Sequence, residues 1–579
     1  MLGALKFKAP QRNVTIALLL LILAAAFVLR GMQAWFGMPY LHYWDEPQTA
    51  STALNIIKSG DLNPHFFHYG SLLIYACVLA DFVYYFFAHD LSLSSSLHLD
   101  SISDVVTNAD TNWPWTISHP QFYVADRFLI VLFGVGTVAV TYLIGARLLP
   151  VGFALGAAAF LATSPFHVGH SYVDTTDVPV AFFVITATWA LLVFLEEKAT
   201  WALVVAAISV GLACATKYNS GLIYLPLVLS VGIEGLKVWR SDPKRAIKWA
   251  IIACVVPGLA FFVAMPYALL DYKSFFHDML SELNHYGRLG HQGATVEAGL
   301  PHLKVIIADL VSQNGVVASV LAVIGFATIR SMKTAIVFCY PIVFILFMSA
   351  MKVEFDRNYV QVYPYIALLA MSGTHLGWQV VTKLIAASRK YHVAGILAAA
   401  LVAYVVYGNL DRTVPNVVYG NPEKTVPAAI NTWNRKETRS LAIEQVTKLG
   451  NSFDVVIPEE LRVHEQDLAR LDRQYLVVPL SAVLRMVCSA QASQHNFVLP
   501  TSTLLSPWAP PDEPTKTKQL VAAAQKVVAE VVKAPGVEQI PGGPLNVDIY
   551  SIDPGVIVVP AGPQSCEVDA PKHESQPNG

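Results

Sequence analysis

From residue 14 to residue 408 the chain is a succession of apolar runs, each long enough for a helix, with lysine and arginine spread unevenly between them. The first run extends from Val14 to about Phe36 and is broken only by Arg30 and Gln33. Later runs cover 71–88, 127–147, 151–168, 178–195, 200–215, 219–236, 249–270, 306–329, 334–350, 359–377 and 391–408. About 20 apolar residues in a helix cross a bilayer core, so this pattern demands a polytopic membrane protein. Composition agrees: 54% of residues are hydrophobic and 14% charged, against about 25% charged in ordinary soluble domains. The net charge of −2 gives no overall field for nucleic acid, and none is expected as a partner. Charge matters here by location, not by sum.

The first run is too long for a signal-peptide core, and no small-residue cleavage site follows it. It reads as a first span with Lys6, Lys8 and Arg12 held inside. Three later basic clusters fix the orientation: Lys237 to Lys248, Arg330 to Lys333, and Lys383 to His392. All of them face the cytoplasm only if one run does not cross. That run is 71–88, which is short, carries Asp81 and lies in a stretch with no lysine or arginine between Lys58 and Arg127. Residues 38–126 then form one large outside loop, with 71–88 as a helix lying in the interface. The alternative, a crossing 71–88, puts the 237–248 cluster outside. The expectation is about eleven spans, with the N-terminus in and the C-terminus out. Residues 1–408 form the transmembrane domain, and 409–579 form a small outside α/β domain ending in a loose tail. FDVVIP, YLVVPL and VDIYSI read as its strands. LAIEQVTKL and TKQLVAAAQKVVAEVVK read as its helices.

Cys77, Cys214, Cys254 and Cys339 lie in apolar stretches and read as packing residues. Cys488 and Cys566 lie in the tail, where an outside location would permit a disulfide that spacing alone does not establish.

This topology gathers ionisable residues on one face. Asp45 and Glu46, in LHYWDEPQ, open the first outside loop, and Asp174 and Asp177 lie in HSYVDTTDVP. Lys217 and Tyr218 lie in CATKYNSG, and Arg357 in EFDRNYVQ. Each has a plain structural alternative. The paired carboxylates could mark a helix start, Asp174 or Asp177 a cap, and Lys217 and Arg357 headgroup anchors. His68, His119 and His170 are more often satisfied structural histidines than ligands. Together, however, carboxylates able to take a proton and cations able to hold a phosphate converge at membrane depth. A secondary transporter or flippase could use the same residues as a substrate path, but no internal repeat is evident and the charges lie at one face, not the midplane.

At these residues the chain resembles the polytopic GT-C glycosyltransferases of the dolichyl-phosphate-mannose protein mannosyltransferase and aminoarabinose transferase superfamily. YWDEPQTASTALNIIKSGDLNPHFFHYGSLLIY is similar to that family's first outside loop, and VADRFLIVLFGVGTVAVTYLIGARL to its second span. SPFHVGHSYVDTTDVPVAFF, CATKYNSGLIYLPL and FDRNYVQVYPYIALLA resemble later segments, so the likeness covers roughly 10–410. It implies a GT-C fold and an inverting transfer, on the extracytoplasmic side, from a polyprenyl-phosphate sugar to a glycan, lipid or protein acceptor. Asp45 would be the general base, Glu46 would assist or orient it, and Asp177 would be the second acidic residue. Lys217 and Arg357 would hold the donor phosphate, with His68, His170, Asp174 and Tyr218 in support. Many members carry a Lys/His-Pro-Pro-Leu stretch in the first loop, whereas this chain reads HFFHYGSLLIY. No metal site is assigned. Several carboxylates near a phosphate could still hold Mg²⁺ or Mn²⁺, though nothing in the spacing demands one. The expected location is a bacterial inner membrane, among membrane lipids.

Overall fold

The computed structural model is mostly helical. It describes residues 9–35, 45–91, 102–105, 107, 119, 121–291, 293–384 and 390–419, and, beyond them, 443, 447, 454–458, 468, 471, 474–478, 482, 495–500, 537–539 and 547–552. The chain divides into two compact units, the larger holding the helices to residue 433 and the smaller the sheet beyond it.

The helices of the larger unit run in this order: α1 (Ala9–Gly31), α2 (Glu46–Ser59), α3 (Leu72–Leu91), α4 (Gln121–Leu148), α5 (Val151–Thr163), α6 (Pro165–His170), α7 (Asp177–Glu197), α8 (Thr200–Thr216) and α9 (Tyr224–Val238). There follow α10 (Pro243–Ala264), α11 (Tyr267–Leu270), α12 (Tyr272–Asn284), α13 (Leu300–Asn314), α14 (Val316–Gly325), α15 (Met332–Val337), α16 (Cys339–Ser349), α17 (Tyr363–Leu384) and α18 (Lys390–Tyr419).

Among the described residues, six helical segments are long and apolar enough to cross a membrane. A seventh is the pair α13 and α14, if the 115° bend between them interrupts a single span. The expectation of eleven spans accepted runs that fold as shorter helices, such as α5 with 13 residues and α8 with 17. Residues 71–88 are helical, within α3, and Leu79, Phe82, Val83 and Phe86 are exposed on it.

α7 is apolar all round and lies at the centre of the bundle: 78% of its most apolar window is buried, against 17% for the first span. Such a helix belongs inside a bundle, because it has no polar stripe for water. It packs against α4 and α8, and α8 in turn against α10. Small residues set the closest approaches, as they do where helices pack in lipid. A Cβ built on Gly211 would overlap the carbonyl of Pro257, and one on Gly325 or Gly373 would overlap the backbone between α14 and α17.

The smaller unit holds a five-stranded sheet of order β2-β1-β3-β5-β4, with β1 (Asp454–Pro458), β2 (Tyr475–Val478), β3 (His495–Pro500), β4 (Val537–Gln539) and β5 (Val547–Ile552). β1 runs parallel to β2 and β3, while β5 pairs antiparallel with β3 and β4. FDVVIP, YLVVPL and VDIYSI therefore supply β1, β2 and β5. Val455, Val456 and Ile457 are consecutive and fully buried, so both faces of β1 are covered. The two helices expected in the tail, and Cys488 and Cys566, lie largely or wholly outside the described residues.

Candidate active site

The site is built where four segments of the larger unit end. Asp45 stands at the N-terminus of α2, yet its side chain makes no capping hydrogen bond. Its Oδ2 instead meets Arg357 Nη2 at 2.7 Å. Arg357 opens the 3₁₀ turn Asp356–Val362 that leads into α17, and its guanidinium lies 4.6 Å from the Phe355 ring centre. Asp177 is the first residue of α7, whose cap residue Thr176 also makes no side-chain cap bond. Asp177 Oδ1 accepts from Lys217 Nζ at 2.6 Å. Lys217 closes α8 in extended conformation before the 3₁₀ turn Tyr218–Ile223, and its ammonium also donates to Asn358 Oδ1 at 2.6 Å. Asp45, Glu46 and Asp177 do stand at helix starts, but the Asp45 and Asp177 carboxylates are turned to Arg357 and Lys217.

Asp45, Asp177, Lys217 and Arg357 line one small polar recess of about 20 Å³, with Thr49, Tyr69, Thr175, Thr176 and Tyr286. Tyr69, Lys217 and Tyr286 also border a larger, mainly apolar cavity of about 230 Å³. His68, Tyr218, Met279, Glu282, Met348 and Met351 are among the remaining walls of that cavity. The recess is mainly charged and polar, and the cavity that shares these three walls with it is mainly apolar.

The arms of the site are held by local backbone pairing. Lys352 N donates to Tyr286 O, Val296 N to Lys352 O and Glu354 N to Ala294 O, a strand-like contact just before Arg357. Glu354 takes hydrogen bonds from Tyr359 Oη, at 2.7 Å, and His302. Residues 66–70 are held by Phe67 N on Asp278 Oδ2 and by Tyr218 Oη on the carbonyls of Phe67 and Tyr69. A Cβ on Gly70 would overlap the carbonyl of Ala215, so only glycine brings this loop down beside Lys217. His68 lies 3.7 Å from Glu282 and 3.9 Å from Asp278. The Glu282 carboxylate raises the His68 pKa above the usual histidine range, against an opposing effect of burial.

Other expected residues lie behind the recess. Glu46 is fully buried and both its oxygens bind Arg127, Oε1 to Nε and Oε2 to Nη2, each at 2.8 Å. Oε1 also accepts from the backbone N–H of Asp174 at 2.9 Å. The Glu46 carboxylate is thus turned to Arg127 and is not part of the recess lining. The Asp174 side chain points away from the recess toward Cys77, whose thiol reaches Asp174 Oδ1 at 3.5 Å. That contact gives Cys77 a polar role beyond packing. The His170 ring lies 4.5 Å from that of Phe166, tilted by 59°, and is close enough to feel the charges of Asp177, Asp356, Arg357 and Lys217. Arg127, Asn358, Tyr69 and Tyr286 are participants that the sequence did not single out. Adjacency to Arg357 was the only signal for Asn358, and the pair Asp126-Arg127 inside an apolar run the only signal for Arg127.

In the recess Mg²⁺ or Mn²⁺ would draw its oxygens from Asp45 and Asp177, each of which is matched to a side-chain cation in this structure.

Residues 123–267, about a quarter of the chain, match the family model described as dolichyl-phosphate-mannose-protein mannosyltransferase. This segment holds Arg127, Asp177 and Lys217 and is the part of the chain that is similar to that family. None of the curated proteins matches it. Among solved structures, ArnT from Cupriavidus metallidurans in the apo state is similar at 12% identity and TM-score 0.49, covering 96% of this chain and 100% of ArnT. The same ArnT bound to undecaprenyl phosphate gives 13%, 0.46, 95% and 99%. The Archaeoglobus fulgidus oligosaccharyltransferase tethered to an acceptor peptide gives 12%, 0.46, 92% and 74%.

Proposed function

We propose that this chain is a membrane glycosyltransferase that moves a sugar from a polyprenyl-phosphate donor to an acceptor hydroxyl with inversion. The observation that carries the reading is one recess holding two carboxylate–cation pairs, Asp45–Arg357 and Asp177–Lys217, next to an apolar cavity. An anionic headgroup on a lipid tail matches that division of charge and hydrocarbon. The donor phosphate enters beside Arg357 and Lys217, and Arg357 exchanges its contact with Asp45 for the phosphate oxygens. Asp45, released, accepts the proton of the acceptor hydroxyl. The acceptor oxygen forms its bond to the anomeric carbon as the bond from that carbon to the phosphate oxygen breaks. The leaving phosphate carries off the electron pair and is stabilised by the two cations. Asp177 keeps Lys217 aimed at the phosphate with Asn358, and Glu46 anchors the start of α2 through Arg127. No step needs a divalent ion.

The family match supports the transferase class, and the basic clusters at 237–248 and 330–333 support an extracytoplasmic site; the membrane proposed is a bacterial inner membrane. The sheet unit is read as a domain on that same side. The test is release of radiolabelled sugar from a polyprenyl-phosphate donor by the purified protein in detergent. Transfer should be lost in Asp45→Asn, by about 10²- to 10⁴-fold for a general base, with membrane insertion retained. Unaltered transfer in that variant removes Asp45 as the base, and no release by the wild type rejects the reaction.

A further inference from the structure

Behind the recess lies a second cluster. Cys77 Sγ and carboxylate oxygens of Asp126 and Asp174 all lie within 4.8 Å of one another, and all three residues are buried. Asp81 follows Cys77 by one turn of α3, so it faces the same way. It is fully buried, neither of its oxygens has a hydrogen-bond partner among the described residues, and it lies near enough to Asp126 and Asp174 for their charges to act on it. Tyr123, one turn before Asp126 on α4, is 1% exposed with an equally unpartnered hydroxyl, and it senses the same two carboxylates. Both oxygens of Asp126 and Oδ2 of Asp174 lack partners too. Arg127, the neighbouring cation, is already committed to Glu46. Apart from the Cys77 thiol on Asp174 Oδ1, these buried carboxylates have little to satisfy them, and such a cluster must either hold protons or gather round a cation.

We propose that Cys77, Asp126, Asp174 and Asp81 form a structural site for a divalent transition-metal ion of zinc type. One thiolate with carboxylate oxygens is a donor set for zinc, not for magnesium or calcium, which take oxygen alone. The spacing agrees. Tetrahedral zinc with Zn–S of about 2.3 Å and Zn–O of about 2.0 Å sets sulfur and oxygen about 3.5 Å apart. Cys77 Sγ and Asp174 Oδ1 are 3.5 Å apart. Such an ion ties α3, α4 and the 171–176 loop together. That loop presents Thr175 and Thr176 to the recess and leads directly into Asp177. The ion would therefore be a staple under the acidic side of the recess, and it stands whether or not the proposed transfer is correct.

The test uses the full chain in detergent, equilibrated with Zn²⁺, freed of loose metal and assayed by elemental analysis. The wild type should retain about one zinc per chain and melt several degrees higher than after chelation. Cys77→Ser and Asp126→Asn should retain none, whereas Asp45→Asn should retain it in full. Loading with Co²⁺ should give a thiolate-to-metal charge-transfer band in the wild type, a reading that requires no variant to fold. Zinc at background level, retention undiminished in both variants, or Co²⁺ loading without that band would each overturn the proposal and leave the carboxyls holding only protons.

Discussion

Asp45 and Arg357, far apart in the chain, form an ion pair of 2.7 Å in which each side chain is about three-quarters buried, with 24% and 25% of its surface exposed. An Arg fork fits a phosphate as well as it fits a carboxylate. Arg357→Ala should therefore raise the donor KM about 10- to 100-fold, the range for losing a charge-assisted hydrogen bond, and leave the acceptor KM little altered. Arg357→Lys should recover only part of the loss. Steady-state kinetics with each substrate varied separately decide this, and a change confined to the acceptor KM would argue against a phosphate role.

Asp177 and Lys217 are more deeply buried than the first pair, at 3% and 12% exposure. Removing one partner strands the other. Asp177→Asn and Lys217→Met should each impair donor use, and the double variant should be less impaired than the sum. A coupling of about 1–3 kcal/mol is expected from a double-mutant cycle on kcat/KM. Simple additivity would show that the two side chains act independently.

Glu46→Gln leaves Arg127 buried and charged without its carboxylate. Breaking a buried pair from one side costs about 3–5 kcal/mol, so the melting midpoint in detergent should fall sharply. Glu46→Gln paired with Arg127→Met should recover much of that fall. An unchanged midpoint in Glu46→Gln would mean that the pair does not hold α2 in place.

Gly70→Ala tests the close approach of the first loop to the end of α8. The added methyl has no room beside the Ala215 carbonyl, so the loop must lift Tyr69 and His68 away from Lys217. Activity should drop with the helical content intact, as measured by transfer assay and circular dichroism. Full activity would show that this loop need not seat against α8.

His68 provides a pH signature. Its folded pKa is raised, chiefly by Glu282. The stabilisation is therefore fully present below the usual histidine pKa and fades as pH rises through the raised value. Thermal midpoints of wild type and His68→Gln should differ most on the acid side of neutrality and converge above it. Because His68 is partly exposed, the difference should be modest.

Much of this arrangement was legible in the residues, and the remainder failed for identifiable reasons. Apolar runs mark helices, since no other element satisfies its own backbone in lipid, and nearly every run returned as one. The breaks were harder to see. Residues 306–329 read as a single run, yet the chain turns by 115° where Asn314 meets Gly315, whose φ of +79° suits glycine. Adjacent Asp45 and Glu46 read as a functional pair, but successive residues at a helix start point about 100° apart. One therefore faces the recess and the other Arg127. Asp126 and Asp81 gave no sign of sharing a cluster, because which buried groups meet depends on how α3 and α4 pack. The site cations were legible as residues, but their matching to particular carboxylates was not.

The two ion pairs of the recess have a consequence for timing. On the proposed reading, Asp45 is occupied until a phosphate draws Arg357 off it, so the proton acceptor is armed only once a donor has docked. On that reading the order of events is written into the wiring of Asp45 and Arg357: the donor docks first, and the proton acceptor follows.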